Sequence, residues 1–183
     1  QEQKQFENGI CYSIYEKLGA HPVKIDGVSG VYFAVWAPNA IRVSVVGNFN
    51  NWDGRAYQMN LLESGIYELF IPGVRAGDIY KYEIKARGGL TYLKSDPYAN
   101  AAQLRPNNAS VVFDLGKYAW QDENWMKKRG VAQSDKAPIS VYEVHLGSWK
   151  KPDDGREFYN YREIAPMLAS YVKELGYTHV ELM

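Results

Sequence analysis

The chain has a single cysteine, no long hydrophobic run and no excess of charge of either sign. Cys11 has no partner for an intramolecular disulfide, which fits a reducing compartment, so we expect a cytoplasmic protein. No segment reaches the roughly 18 apolar residues of a membrane-spanning helix, and residues 1–7 show no signal-peptide pattern. Lysine plus arginine and aspartate plus glutamate both number 21, so neither nucleic acid nor an anionic membrane is an expected partner.

Metal sites and the common catalytic patterns are missing as well. The three histidines lack metal-ligand spacing, and no phosphate-binding loop or Ser-His-Asp pattern is visible. Aromatic residues, in contrast, are abundant at 14%, with 15 tyrosines and 5 tryptophans. Such rings pack the cores of β-sheets, and they also stack on the apolar faces of sugars, so composition alone leaves both roles open.

Residues 30–115 follow the two-residue period of short antiparallel strands. Apolar residues alternate in residues 31–36 and again in residues 41–46, and turn signals such as Glu63-Ser64-Gly65 and Asp96-Pro97 separate the later runs. Short strands at this spacing predict an immunoglobulin-like β-sandwich over residues 30–115. We expect residues 1–29 to form a partly helical lead and residues 116–137, which follow neither period, to form a connector.

Residues 138–183 read as strand, helix, strand. Asn160 and Glu163 have the spacing of a capping box, and a helical apolar face follows them. Pro166 conflicts with a start at Tyr161, so either the helix begins near the proline or its first turn is distorted. One βαβ unit cannot form a parallel sheet covered on both faces. We therefore expect residues 138–183 to be the truncated start of a larger α/β domain, and the fold to be mainly β.

A candidate binding loop lies at residues 47–54, which read GNFNNWDG. Asparagine amides, an aspartate and the flat ring of Trp52 together suit a sugar, which has a polar rim and apolar ring faces. Asn51 and Trp52 are the candidates in this loop. The alternative is that asparagine and glycine only shape the turn while Trp52 covers the sandwich core.

Lys81 lies between Tyr80 and Tyr82 in a predicted strand. The two-residue period places Lys81 and Glu83 on the face opposite the two tyrosines. Lys81 is then either part of an ordinary solvated face or a hydrogen-bond donor beside the same sugar surface.

Several motifs resemble known families. Those in the first half resemble the glycogen-binding module of α-glucan-active enzymes; they are residues 30–40 (GVYFAVWAPNA), 46–52 (VGNFNNW), 80–82 (YKY) and 95–99 (SDPYA). Those in the second half resemble 1,4-α-glucan (glycogen) branching enzymes; they are residues 142–149 (YEVHLGSW), 161–163 (YRE) and 176–183 (GYTHVELM). The second set is more specific to branching enzymes.

The resemblance implies a (β/α)8 barrel of the α-amylase type, glycoside hydrolase family 13, after the sandwich. It implies a retaining mechanism with an aspartate nucleophile and a glutamate acid/base, which needs no cofactor. Those carboxylates belong to later strands, so no catalytic residue is assigned here. His145 and Trp149 follow the first strand of the unit and are expected near the barrel mouth, although packing would also explain His145.

Within the glycogen-binding module, the resemblance implies Trp52 and Lys81 as sugar contacts. It implies a further contact near Leu93, where related modules tend to have a second tryptophan. We expect the chain to bind α-1,4-glucan, either glycogen or maltooligosaccharide, only weakly and to lack branching activity by itself. The alternatives are a stand-alone glycogen-binding or regulatory module and a fragment of a related debranching hydrolase. Uncovered barrel strands would favour self-association.

Overall fold

The computed structural model describes residues 2–183, with side chains from Lys4 onward, as two compact units divided between residues 119 and 120. None of the helices in residues 2–183 is long and apolar enough to cross a membrane. The first unit contains the helix α1 (Glu2–Glu7) and nine strands: β1 (Gly19–Ile25), β2 (Val28–Trp36), β3 (Ala40–Gly47), β4 (Asn60–Leu61), β5 (Ile66–Pro72), β6 (Ile79–Ala86), β7 (Thr91–Lys94), β8 (Ala101–Ala102) and β9 (Ser110–Val111).

These strands form two antiparallel sheets, as predicted for a β-sandwich. One sheet has the order β1-β2-β5-β4, and the other has the order β3-β6-β9-β8 with β7 also paired to β6. The alternation read from the sequence places Phe33, Val43, Val45, Tyr80 and Tyr82 in the core, each with 0% exposure. The prediction of a mainly β sandwich is therefore confirmed.

The sandwich begins before residue 30, so the expected boundary of the lead is wrong. β1 pairs with β2 along its whole length, from Gly19 opposite Ala34 to Ile25 opposite Val28. β1 escaped detection because it is an edge strand with Pro22 inside it, and only its first two residues are buried. The predicted N-terminal helix is instead α1 followed by a short 3₁₀ turn, Ile14–Glu16.

Asp96, a buried residue between β7 and β8, forms hydrogen bonds with both β6 and β9 of the second sheet. Asp96, only 6% exposed, accepts hydrogen bonds from the hydroxyls of Tyr80 at 2.6 Å and Tyr82 at 3.2 Å. Its backbone N–H donates to Ser110 Oγ at 2.8 Å. Burial raises the pKa of Asp96, although the hydrogen bonds from Tyr80, Tyr98 and Tyr82 oppose that shift.

The second unit contains α2 (Glu123–Ala132), β10 (Val141–Val144), α3 (Leu146–Trp149), α4 (Tyr161–Glu174) and β11 (His179–Leu182). The helix α2 lies within residues 116–137, which the sequence predicts to be a connector that follows neither period. Its charged sequence has no apolar stripe, and none of its residues is buried, so periodicity could not reveal it.

The predicted βαβ unit is present in this second unit. β10 and β11 are parallel, with Val141 opposite His179 and Val144 opposite Leu182. α4 buries Ile164, Leu168 and Val172 on one face.

The start of α4 shows how the conflict over Pro166 is resolved. The helix runs through the proline from Tyr161. Asn160 Oδ1 accepts the Glu163 N–H at 3.0 Å, and the Glu163 carboxylate accepts the Asn160 N–H at 2.9 Å, which completes the capping box. Pro166 has no N–H to donate to the carbonyl of Arg162 one turn earlier, and both residues are exposed.

Candidate glucan-binding face

Residues 47–54 form a compact loop after β3, here called the Trp52 loop. The side chain of Asn50 holds it together: its Oδ1 accepts the Gly47 N–H at 2.9 Å, and its Nδ2 donates to the carbonyls of Val45 at 3.0 Å and Asp53 at 3.2 Å. The Trp52 N–H donates to the Gly47 carbonyl at 3.0 Å. A single asparagine thus satisfies three backbone groups of a chain reversal.

Two consecutive residues of the Trp52 loop adopt the left-handed conformation. Asn51 has φ 53° and Trp52 has φ 60°. Asparagine tolerates this region, but a bulky residue rarely enters it, and the cost is about 1–2 kcal/mol for each non-glycine residue. The hydrogen bonds of Asn50 keep the loop in this conformation, which carries Trp52 out of the strand direction.

Phe49, rather than Trp52, covers the sandwich core. Phe49 packs against the core cluster and lies 6.0 Å from the Tyr57 ring, measured between centroids. Trp52 is partly exposed, and its indole N–H donates to Asn48 Oδ1 at 2.9 Å. Core packing therefore does not account for the tryptophan.

Strand register brings Lys81 and Leu93 to the face on which the Trp52 loop lies. Lys81 is opposite Val46 of β3, and Glu83 is opposite Leu93 of β7. Because Tyr80 and Tyr82 point into the core, Lys81 and Glu83 point to the other side of the sheet. Leu93, which pairs with Glu83, points to that side as well. We call this side of the β3-β6-β7 sheet the outer face.

The Trp52 loop covers part of the outer face directly. A side chain at Gly54 would overlap the carboxylate of Glu83, so the loop backbone lies directly against this residue. Glu83 forms an ion pair with Arg42, whose side chain is 30% exposed against 19% for Glu83. The Trp52 loop therefore lies against an ion pair on the outer face.

Asn108 extends the outer face beyond β6. Lys81 Nζ donates to Asn108 Oδ1 at 2.5 Å, and the Ser95 hydroxyl donates to the Asn108 carbonyl. Asn107 and Asn108 are both exposed, and Leu93 is 53% exposed. The face therefore combines a partly exposed indole, an ammonium group, amides and an apolar side chain.

The charges at the edge of the Trp52 loop are paired with each other. Arg55 contacts Asp53 through Nε at 2.9 Å and Nη2 at 2.7 Å. The hydrogen bonds from Arg55 lower the pKa of Asp53 to about 2. Asp53 is thus ionised at neutral pH and paired with Arg55.

His145 and Trp149 lie in the second unit, at the carboxyl end of β10. His145 Nδ1 is 2.9 Å from Ser148 Oγ, and the His145 carbonyl accepts the N–H groups of the first turn of α3. Trp149 donates from its indole to Tyr142 OH at 3.0 Å and packs edge-on against Tyr171. Both residues thus have local packing partners.

Sequence reasoning predicted Asn51, Trp52, Lys81 and Leu93 as the site. Strand register places Lys81 and Leu93 on one face of one sheet, and the loop that carries Asn51 and Trp52 contacts this face at Glu83. Sequence reasoning missed the separate functions of the other asparagines: Asn50 ties the backbone, and Asn48 holds the indole. Three asparagines within four residues were a signal of turn chemistry. Which hydrogen bonds each asparagine makes is visible only in the structure.

Comparisons with known proteins agree with this geometry. Residues 17–99 match the model of carbohydrate-binding module 48 (isoamylase N-terminal domain). The chain is 52% identical to the 1,4-alpha-glucan branching enzyme GlgB of Synechococcus sp. (strain JA-3-3Ab), over 97% of this chain and 25% of the relative. It is also 52% identical to that of Cellvibrio japonicus (strain Ueda107), over 97% and 24%. The chain thus spans about a quarter of the length of these curated relatives.

Among solved structures, type I pullulanase from Bacillus subtilis, complexed with maltose, superimposes with a TM-score of 0.65 at 26% identity, over 93% of this chain and 25% of that one. Klebsiella pneumoniae pullulanase complexed with maltotriose gives 0.64 at 25% identity, over 90% and 17%. The predicted resemblance is confirmed: residues 17–99 form a family 48 carbohydrate-binding module, within a chain that corresponds to the N-terminal part of the 1,4-α-glucan branching enzymes.

Proposed function

We propose that the sandwich binds linear α-1,4-glucan on its outer face, through Trp52, Asn51, Lys81 and Leu93. The observation that carries the proposal is the position of Trp52, a partly exposed indole that the core does not need, since Phe49 fills that place. Lys81 and Asn108 lie on the same face and supply a donor and amide groups for sugar hydroxyls.

We further propose that the chain is the N-terminal part of a branching enzyme. That enzyme would cleave an α-1,4-linked glucan, hold the chain covalently and transfer it to a 6-hydroxyl. The 52% identity to curated branching enzymes across both units supports this assignment over a debranching hydrolase, because the pullulanases reach only about half that identity. Residues 138–183 would be the first βαβ unit of the barrel, with His145 and Trp149 near its mouth. The catalytic carboxylates would follow on later strands.

Titration with two oligosaccharides tests glucan binding. We expect maltoheptaose to cause saturable chemical-shift changes in the residues of the outer face, and the β-1,4-linked cellohexaose to cause none. Equal effects of both sugars would contradict recognition of α-glucan.

A separate assay tests the proposed enzyme activity. The gene product containing this chain should add branches to amylose and lower its iodine absorbance. An accumulation of free reducing ends without branching would instead indicate a hydrolase.

The uncovered strands of the second unit lead us to propose weak self-association. Val180 is 40% exposed and Leu182 is 60% exposed on β11. An exposed apolar strand is a pairing surface for a second chain. Sedimentation at increasing concentration should show dimers or larger species, and a monomer at every concentration would contradict this.

We also propose that the protein is cytoplasmic, since its one cysteine, Cys11, is free.

A further inference from the structure

The indole of Trp52 has one polar atom, and the loop itself holds it. The Nε1–H group donates to Asn48 Oδ1 at 2.9 Å. An indole N–H is only a donor, and its hydrogen bond lies in the plane of the ring. Asn48 therefore fixes the orientation of the ring from its edge and leaves the ring face available for stacking.

The backbone beneath this contact is fixed independently of Asn48. Asn50 makes three hydrogen bonds to the backbone of the loop or of β3, and the Trp52 N–H closes the loop on the Gly47 carbonyl. The side chain of Asn48, in contrast, is exposed and makes one hydrogen bond in the described part of the chain, the one to Trp52. Loss of that side chain would release the ring without undoing the loop.

We propose that Asn48 is a positioning residue for glucan binding: its side-chain oxygen holds the Trp52 ring in the stacking orientation before the sugar arrives. This inference rests on the proposed function of the outer face. A ring that is already ordered loses less rotational freedom on binding, so preorganisation appears as affinity. Asn48 does not need to touch the sugar.

The test compares Asn48→Ala, which removes the acceptor, with Asn48→Asp, which retains an acceptor oxygen. Asn100→Ala is the matched control, because Asn100 is also exposed but precedes β8 and belongs to none of β3, β6 and β7. The 15N-labelled chain is titrated with maltoheptaose, and the hydrogen-exchange rate of the Trp52 indole is measured without ligand. The indole signal is assigned by its absence from Trp52→Ala.

We expect Asn48→Ala to raise the Kd for maltoheptaose about threefold to tenfold, the worth of one hydrogen bond, and to speed indole exchange. Asn48→Asp and Asn100→Ala should stay within about twofold of the native Kd, and all variants should unfold at similar temperatures. Two results would overturn the inference alone: native affinity in Asn48→Ala, or equal losses in the alanine and aspartate variants. A native chain that fails to bind maltoheptaose overturns the proposed function, and the positioning role with it.

Discussion

Lys81 and Asn108 share a 2.5 Å hydrogen bond across a separation of 27 residues. The bond joins the centre of β6 to the segment before β9 and holds the ammonium group beside the outer face. The Ser95 hydroxyl fixes the backbone of Asn108 in turn. A flexible side chain is thereby ordered at the position where a sugar hydroxyl would meet it.

Replacement of Lys81 tests this arrangement. We expect Lys81→Ala to raise the Kd for maltoheptaose about tenfold, because a hydrogen bond from a charged donor is lost. The melting temperature should change little, since the side chain is solvent-accessible. Lys24→Ala, at an exposed lysine of the other sheet, is the control. Equal affinities of the two variants in a fluorescence titration would remove Lys81 from the site.

Leu93 offers a gain-of-binding experiment. Its side chain is 53% exposed on β7, so a larger residue can be accommodated without repacking the core. Leu93→Trp should lower the Kd for maltoheptaose about threefold or more, because an indole buries more apolar area against a sugar ring than leucine does. Calorimetric titration measures the change. An unaltered or higher Kd would mean that sugar does not reach this strand.

The left-handed backbone at Asn51 predicts a stability difference between two small substitutions. Asn51→Ala should lower the free energy of unfolding by about 1 kcal/mol, because alanine avoids a positive φ, whereas Asn51→Gly should leave it nearly unchanged. Urea denaturation distinguishes the two. If alanine and glycine are equally tolerated, the loop does not retain this backbone conformation in solution.

Asp96 predicts a pH dependence of stability. Burial raises its pKa in the folded protein above the ordinary value of 3.8, so the unfolded chain releases this proton at lower pH. Its contribution to stability is therefore fully present below about pH 4 and is lost as the pH rises through the raised pKa. Asp96→Asn keeps a carbonyl oxygen for the hydroxyl of Tyr80 but cannot titrate.

Urea denaturation of the native chain and of Asp96→Asn from pH 4 upward measures this contribution as a difference. The native chain should lose stability relative to the variant by up to about 1.4 kcal/mol per pH unit within that window. The difference should level off once Asp96 is ionised in both states. A constant difference over the whole range would show that the folded protein does not shift this pKa.

The sandwich was predictable because the apolar residues of its long strands recur with a period of two. Val31, Phe33 and Val35 of β2, and Val43 and Val45 of β3, lie in the core as the two-residue period predicts. Ser44 and Val46, on the other side of β3, are buried as well, which the period did not indicate. β1 was not predictable by the same reasoning, since an edge strand with Pro22 buries little side-chain area. α2 was hidden because a helix without buried residues leaves no apolar period in the sequence.

The candidate site was predictable to a similar extent. The two-residue period placed Lys81 opposite the core tyrosines, and the structure agrees. The conformation of the Trp52 loop could not be predicted from the sequence, because an asparagine that caps a helix, forms a turn or adopts a left-handed conformation has no distinguishing sequence pattern. Which asparagine holds the backbone and which holds the indole is decided by distances, as with Asn50 and Asn48.

The most direct test of the central claim, that the outer face binds α-glucan through Trp52, is the Kd for maltoheptaose of the native chain and of Trp52→Ala. Tyr12→Ala is the control, because Tyr12 is an aromatic residue that is 88% exposed elsewhere in the first unit. We predict saturable binding by the native chain and Tyr12→Ala, and its loss in Trp52→Ala with the melting temperature retained. Undiminished binding by Trp52→Ala would contradict the claim.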